Sequence, residues 1–192
     1  MKNLELYIHI PFCLKKCAYC DFCSFEGKES LIEKYVDTLL KEIRLYKDVV
    51  KDKIIKTIYV GGGTPTYIDI TYIEKIMEEV KKAYTIKDDI EITIEANPGT
   101  LTYEKLLKLR EIGFNRLSMG LQSANDDTLK LISRIHTFEE CKKDILDARK
   151  AGFSNINIDL MFSLPNETLD TVKDTLSKVL ELNVEHISTY SL

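Results

Sequence analysis

Tryptophan is absent from the 192 residues, and no low-complexity tract, proline-rich linker or charge block interrupts them. Nothing therefore divides the chain internally. A length of 192 residues is expected to form one domain whose core needs no disulfide or metal staple. An excess of either charge is also missing. The 27 Lys+Arg against 31 Asp+Glu leave a net −4 spread through both halves, with no basic stripe for nucleic acid and no polybasic face for an anionic membrane. No run approaches the roughly 20 apolar residues that span a bilayer. The opening MKNLELYIHIPF has neither the basic start nor the small-residue cleavage site of a signal peptide. These absences predict a cytoplasmic protein with no nucleic-acid partner and no integral membrane segment. The length also falls just under the roughly 200 to more than 400 residues of a complete eight-stranded α/β barrel.

What the chain does have is regular alternation. Six short β-branched or aromatic runs, Leu6–Ile10, Thr57–Val60, Glu91–Glu95, Arg116–Met119, Ile156–Leu160 and His186–Tyr190, are separated by segments of helical period. A stripe running from Leu31 through Tyr35, Leu39 and Tyr46 to Val50 predicts a long amphipathic helix. Ser30 with Glu33, Thr71 with Glu74 and Thr137 with Glu140 read as capping boxes, and Gly113 and Gly152 as left-handed C-caps. Strand, loop, helix and turn in strict succession imply parallel strands joined by right-handed crossovers, in either a curved barrel-like sheet or a doubly wound open one. No helix is expected to cover the sixth strand.

The unusual groups fall at the C-terminal ends of strands, the edge where both kinds of sheet bind ligands. Cys13, Cys17, Cys20 and Cys23 follow the first strand, Gly61-Gly62-Gly63-Thr64-Pro65 the second and Glu95-Ala96-Asn97-Pro98 the third. Gln122-Ser123 ends the fourth, and Asp159 leads to Pro165 on the fifth. Four clustered cysteines in a reducing compartment point to a metal centre. Their intervals let Cys13, Cys17 and Cys20 wrap one iron–sulfur cube with one iron left open; a zinc site with Cys23 as fourth ligand is the alternative. Consecutive glycines let backbone approach a ligand closely, and Glu95 at a buried strand tip needs donors. His9 alternates with Ile8 and Ile10, so it faces either the cluster or a satisfied place inside the sheet. Cys141 shares a helical stripe with Phe138 and Ile145 and reads as core.

The three-cysteine loop resembles the signature of the radical S-adenosylmethionine (SAM) superfamily. With YIHIPFC at 7–13, CAYCDF at 17–22, GGGTPT at 61–66, EANP at 95–98, RLSMGLQS at 116–123, RIH at 134–136 and Asp159-Leu160 with Pro165, the chain resembles the oxygen-independent coproporphyrinogen III oxidase family throughout its length. The oxidases proper carry a further cysteine where Phe22 stands here, and Phe22 with Arg134-Ile135-His136 resembles the family's heme chaperone branch.

The resemblance implies a partial (β/α)6 barrel, with residues 1–192 as a single radical SAM core domain, truncated after strand six because family members continue into further segments. It implies a 4Fe–4S cluster on Cys13, Cys17 and Cys20, and one or two SAM molecules lined by Tyr7, Gly61, Gly62, Thr64, Glu95, Gln122, Arg134 and Asp159. The chemistry implied is reductive SAM cleavage to methionine and a 5′-deoxyadenosyl radical, fed by an electron donor. The role implied lies in heme and porphyrin metabolism, as a heme chaperone with heme as ligand, or alternatively in decarboxylation of coproporphyrinogen III. His136 and His186 enter as heme or substrate contacts by analogy. A core without the further segments is expected to hold its cluster but turn over poorly. A non-catalytic zinc module is the rival from another class.

Overall fold

A computed structural model describes residues 2–192. Each β-branched run forms a strand: β1 (Lys2–Ile10), β2 (Lys53–Gly62), β3 (Ile86–Ala96), β4 (Arg116–Gln122), β5 (Asn155–Phe162) and β6 (His186–Ser191). They lie in chain order in one sheet, every neighbouring pair parallel. The connections carry α1 (Ile32–Tyr46), α2 (Ile70–Ala83), α3 (Tyr103–Ile112), the short α4 (Asp126–Leu131) with α5 (Phe138–Lys150), and α6 (Leu169–Leu180). The sheet curls into a half-barrel, the curved alternative of the two that alternation allows.

Strand residues alternate with period two, and the two faces have opposite character. Ile8, Ile10, Ile58, Val60, Ile94, Leu117, Met119, Ile156 and Ile158 are buried against the helices. Each such aliphatic side chain contributes about 1.5–3 kcal/mol of burial. The residues between them are polar: Tyr59, Glu95, Arg116, Ser118, Asn157 and Asp159 line the inside of the curl. Parallel sheets covered on both faces read as nearly continuous apolar runs. Here the inner face is kept for something polar.

Three strands begin earlier than their apolar runs. β1 and β3 start at Lys2 and Ile86 with mostly exposed, largely charged or polar residues and β2 at Lys53 with half-buried ones, and the β1–β2 and β2–β3 ladders slip at Leu4/Glu5 and Ile55/Thr57. The first helix is shorter than its stripe. It stops at Tyr46, and the chain must reverse before β2 begins at Lys53, which leaves Val49 exposed.

Of the three expected capping boxes only Thr137/Glu140 forms: Glu140 N–H donates to Thr137 Oγ1 at 3.3 Å and Thr137 N–H to Glu140 Oε2 at 2.7 Å. Ser30 lies within a 3-10 turn (Glu29–Leu31), and the N-cap of α1 is Leu31, with no side-chain bond. Thr71 lies inside α2; Asp69 caps that helix, accepting from the backbone N–H of Thr71 at 2.9 Å and its hydroxyl at 2.6 Å. A carboxylate is the stronger acceptor for an orphan amide. Gly113 (φ 118°) ends α3 in the left-handed region, as expected, and Gly152 (φ 96°) follows α5 in the same region. Cys141 is fully buried, its thiol 3.4 Å from Met119 Sδ.

The caps give a paired expectation for urea unfolding. Thr137→Ala lowers the unfolding free energy by about 1 kcal/mol, whereas Ser30→Ala changes it by less than about 0.5 kcal/mol.

Candidate functional site

The segment after β1 is tied at its base by a pair of backbone bonds, Cys13 N–H to Phe25 C=O at 3.0 Å and Phe25 N–H to Pro11 C=O at 2.8 Å. Ala18 N–H donates to Ile132 C=O at 3.1 Å, and Lys16 Nζ reaches the carbonyls of Phe22 (3.1 Å) and Ser24 (3.0 Å). His9 faces inward and its Nε2 lies 2.8 Å from Cys23 C=O, while its Nδ1 meets Tyr7 OH at 3.0 Å. Since Cys23 C=O can only accept, Nε2 carries the proton and Nδ1 accepts from the tyrosine. His9 is thus a clamp between β1 and the cysteine loop.

The glycine turn after β2 runs against the same loop. Gly63 N–H donates to Ile10 C=O at 2.8 Å and Thr64 N–H to Phe12 C=O at 2.9 Å. A Cβ on Gly63 would stand 2.8 Å from Phe12 O and 3.0 Å from Cys13 Sγ, and one on Gly62 (φ +123°) 2.7 Å from His9 Cε1. The glycines are therefore needed for packing against the loop as well as for any ligand.

Cys13, Cys17 and Cys20 line one wall of a cavity of ≈ 730 Å³, which Gly62, Glu95, Gln122, Arg134 and Asp159 also line. Cys13 is buried, which pushes its thiol pKa up, and Thr64 Oγ1 donates to its sulfur at 3.5 Å. Arg134 Nη1 donates to Cys17 Sγ at 3.4 Å, and Cys20 Sγ lies 3.8 Å from Ser24 Oγ. Cys23 is exposed and outside the lining. Among the described residues no three His, Cys, Asp or Glu side chains gather closely enough to hold a single metal ion.

Glu95 accepts from Tyr59 OH at 2.7 Å and Gly62 N–H at 2.9 Å, so the protein supplies two of the donors its position demands. Burial still holds its carboxyl above the usual carboxylate range. Burial does the same to Asp159, which accepts from Asn157 Nδ2 at 2.8 Å and Ser118 Oγ at 3.4 Å. Gln122 sits at a bulge where Gly120 pairs with Asp159 and Gln122 with Leu160, and its φ of 74° is left-handed. Such strain collects at functional sites. Arg134 is 8% exposed; its Nη2 donates to Asn97 Oδ1 at 2.8 Å and to Gly120 C=O, while its Nε has no partner among the described residues.

Three expected residues stand beside the cavity and not in its wall. Tyr7 is exposed and stacks on Tyr59 (centroids 6.0 Å apart), Gly61 is buried behind Glu95, and Thr64 is buried beneath Cys13. His136 lies outside the lining of this cavity: it is buried, with Nε2 3.2 Å from Leu121 C=O. His186 lies at the start of β6, away from the cysteine end of the sheet, with Nδ1 3.2 Å from Arg116 Nη2. Tyr59 and Asn157 are site residues outside every motif, and Asn97 and Ser118 lie within motifs without being singled out as ligand contacts. Their signal is a polar residue at every second position, as in Arg116-x-Ser118 and Asn155-x-Asn157-x-Asp159.

Residues 7–179 match the family described as the Radical SAM superfamily. Heme chaperone HemW of Haemophilus influenzae is 41% identical, over 98% of this chain and 51% of that protein. Oxygen-independent coproporphyrinogen III oxidase of Salmonella typhimurium is 35% identical, over 99% of this chain and 42% of that protein. The solved structure of coproporphyrinogen III oxidase (HemN) from Escherichia coli superposes with a TM-score of 0.93 at 34% identity, over 99% of this chain and 44% of that one. The chain spans about half the length of the curated relatives it matches. No helix among the described residues is long and apolar enough to cross a membrane.

Burial, with Arg134 adding to it, lowers the His136 pKa from 6.5 to about 4. Folding therefore favours the neutral ring. The stability it supports is complete above pH 6.5 and is lost as pH falls toward 4, by about 3 kcal/mol in all. Unfolding free energies measured from pH 7.5 to 4 check this: the wild type loses stability relative to His136→Gln across that window and runs parallel to it above.

Proposed function

The chain belongs to the radical SAM superfamily, and from that premise we propose that its core holds a 4Fe–4S cluster on Cys13, Cys17 and Cys20, binds SAM beside it, and acts in heme handling. The observation that carries this reading is the cavity lining, to which all three thiols belong and Cys23 does not. Three thiol donors with space in front of them suit a cube with one open iron; a four-thiol zinc site would need Cys23 turned inward. Cluster and SAM, when bound, supply reductive scission of the sulfonium, chemistry that belongs to the cofactor pair.

This chain's own residues bind and orient. Glu95, held by Tyr59 and Gly62, keeps lone pairs free for hydroxyl groups of the ligand. The unpartnered Nε of Arg134, where the side-chain stem joins a buried and fixed guanidinium, suits a carboxylate. Asp159, oriented by Asn157 and Ser118, offers a further acceptor in the cavity lining. Gln122 and Gly62 line the cavity, and Tyr7 stacks on Tyr59 beside it. The order of identities supports the chaperone reading over oxidase activity, with heme as the cargo and an electron donor as partner. Decarboxylation of coproporphyrinogen III is the second reading, favoured by the superposition on HemN.

Anaerobic purification with iron and sulfide analysis tests the cluster. Cys17→Ala is expected to abolish iron uptake and Cys23→Ala to leave it largely intact; equal loss, or stoichiometric zinc without iron, sinks the assignment. Transfer of heme to an acceptor apoprotein, against conversion of coproporphyrinogen III, separates the two roles. Glu95→Ala is expected to weaken SAM binding by about 10- to 100-fold, the worth of one or two charged hydrogen bonds, with iron content unchanged. An equilibrium titration with unaltered affinity refutes that role.

A further inference from the structure

Asn97 follows β3 on a turn held from both sides. Its carbonyl accepts from Thr100 N–H at 3.1 Å and Thr100 Oγ1 at 2.6 Å, and Gly99 N–H donates to the buried Asp144 at 2.7 Å. The side-chain amide so placed lies between two groups that each touch a cysteine. Its Oδ1 accepts from Arg134 Nη2 at 2.8 Å and its Nδ2 donates to Thr64 Oγ1 at 2.9 Å. Thr64 Oγ1 then donates to Cys13 Sγ at 3.5 Å, and the other arm of Arg134 donates to Cys17 Sγ at 3.4 Å.

The direction of every proton in this chain is determined. A guanidinium only donates, so the oxygen of Asn97 must face Arg134 and its NH2 must face Thr64. The threonine oxygen, already receiving that N–H, has its single proton free for Cys13. One positive charge therefore reaches two thiols, Cys17 directly and Cys13 through two polarised groups, each bond strengthening the next in a buried setting.

We propose that Asn97 is a positioning residue that sets the reduction potential of the cluster, by directing the Thr64 hydroxyl onto Cys13. This rests on the reading that Cys13, Cys17 and Cys20 hold a 4Fe–4S cluster. A donor aimed at a ligating sulfur stabilises the more negative, reduced state more than the oxidised one, and so raises the potential. Arg134 Nη2 also donates to Gly120 C=O, a bond that does not involve Asn97, so Asn97 acts chiefly through Thr64.

The test is the midpoint potential of the reconstituted cluster in the full chain, read by mediated electrochemistry and the electron paramagnetic resonance signal of the reduced state. Thr64→Val and Asn97→Leu are each expected to move the potential to more negative values, and the double variant no further than Thr64→Val alone. The isosteric Asn97→Asp is expected to give the largest negative shift, because the introduced carboxylate draws the Thr64 proton away from Cys13. Thr64→Ser, which keeps the hydroxyl, is expected to match wild type. Additive shifts in the double variant, a Thr64→Ser shift as large as that of Thr64→Val, or wild-type potentials in both Asn97 variants overturn the proposal. Loss of iron and sulfide from both Asn97 variants also overturns it, since a residue that only directs hydrogen bonds leaves the thiols able to bind. A wild-type chain that takes up no iron defeats the cluster reading itself, and does so before any substitution is compared.

Discussion

Two backbone hydrogen bonds organise the cavity end of the molecule: Gly63 N–H to Ile10 C=O and Thr64 N–H to Phe12 C=O. They prolong the β1–β2 ladder past the end of both strands, so the cysteine loop leaves the sheet already braced against the turn of its neighbour. The contact is possible because Gly63 has no Cβ to meet Phe12 O. Once it is made, Thr64 lies under Cys13, and Gly62 N–H is presented to Glu95 on β3. Three consecutive strands are thereby joined at one corner before any ligand is considered.

The inner face of the sheet obeys a second constraint, the cost of burying polar groups. Each group there is offset by a neighbour: Asn157 bonds Ser118, Asp159 and Ser188, Tyr59 bonds Glu95, and Arg134 bonds Asn97 and Gly120. Such networks rigidify when satisfied and are expensive when not. The unpaired Nε of Arg134 is the exception within this framework, and it lies on the residue that also touches Cys17. Specific binding and fixed geometry here have the same origin.

Much of this is legible in the residues alone. Strand positions show because β-branched residues alternate with polar ones, and the cysteine spacing marks the site. The first residues of β2 and β3 do not show, because Lys53, Lys56, Lys87, Asp88 and Asp89 look like loop and are tolerated on the exposed start of a strand. Ser30 and Thr71 have the pattern of caps, yet a 3-10 turn and a nearby carboxylate take their places. The roles of Asn97, though it lies within a motif, and of Tyr59 do not show for a different reason. A polar residue in or after a strand reads as solvent-facing, and only the curl of the sheet turns it toward the sulfurs.

The loop that carries the cysteines is closed at Phe12 and Phe25, clamped by His9 and pinned to Ile132, all through protein atoms. Zinc fingers, by contrast, depend on metal for their fold. In a loop braced by its own contacts, the thiols have less conformational freedom left to lose when any ligand is taken up.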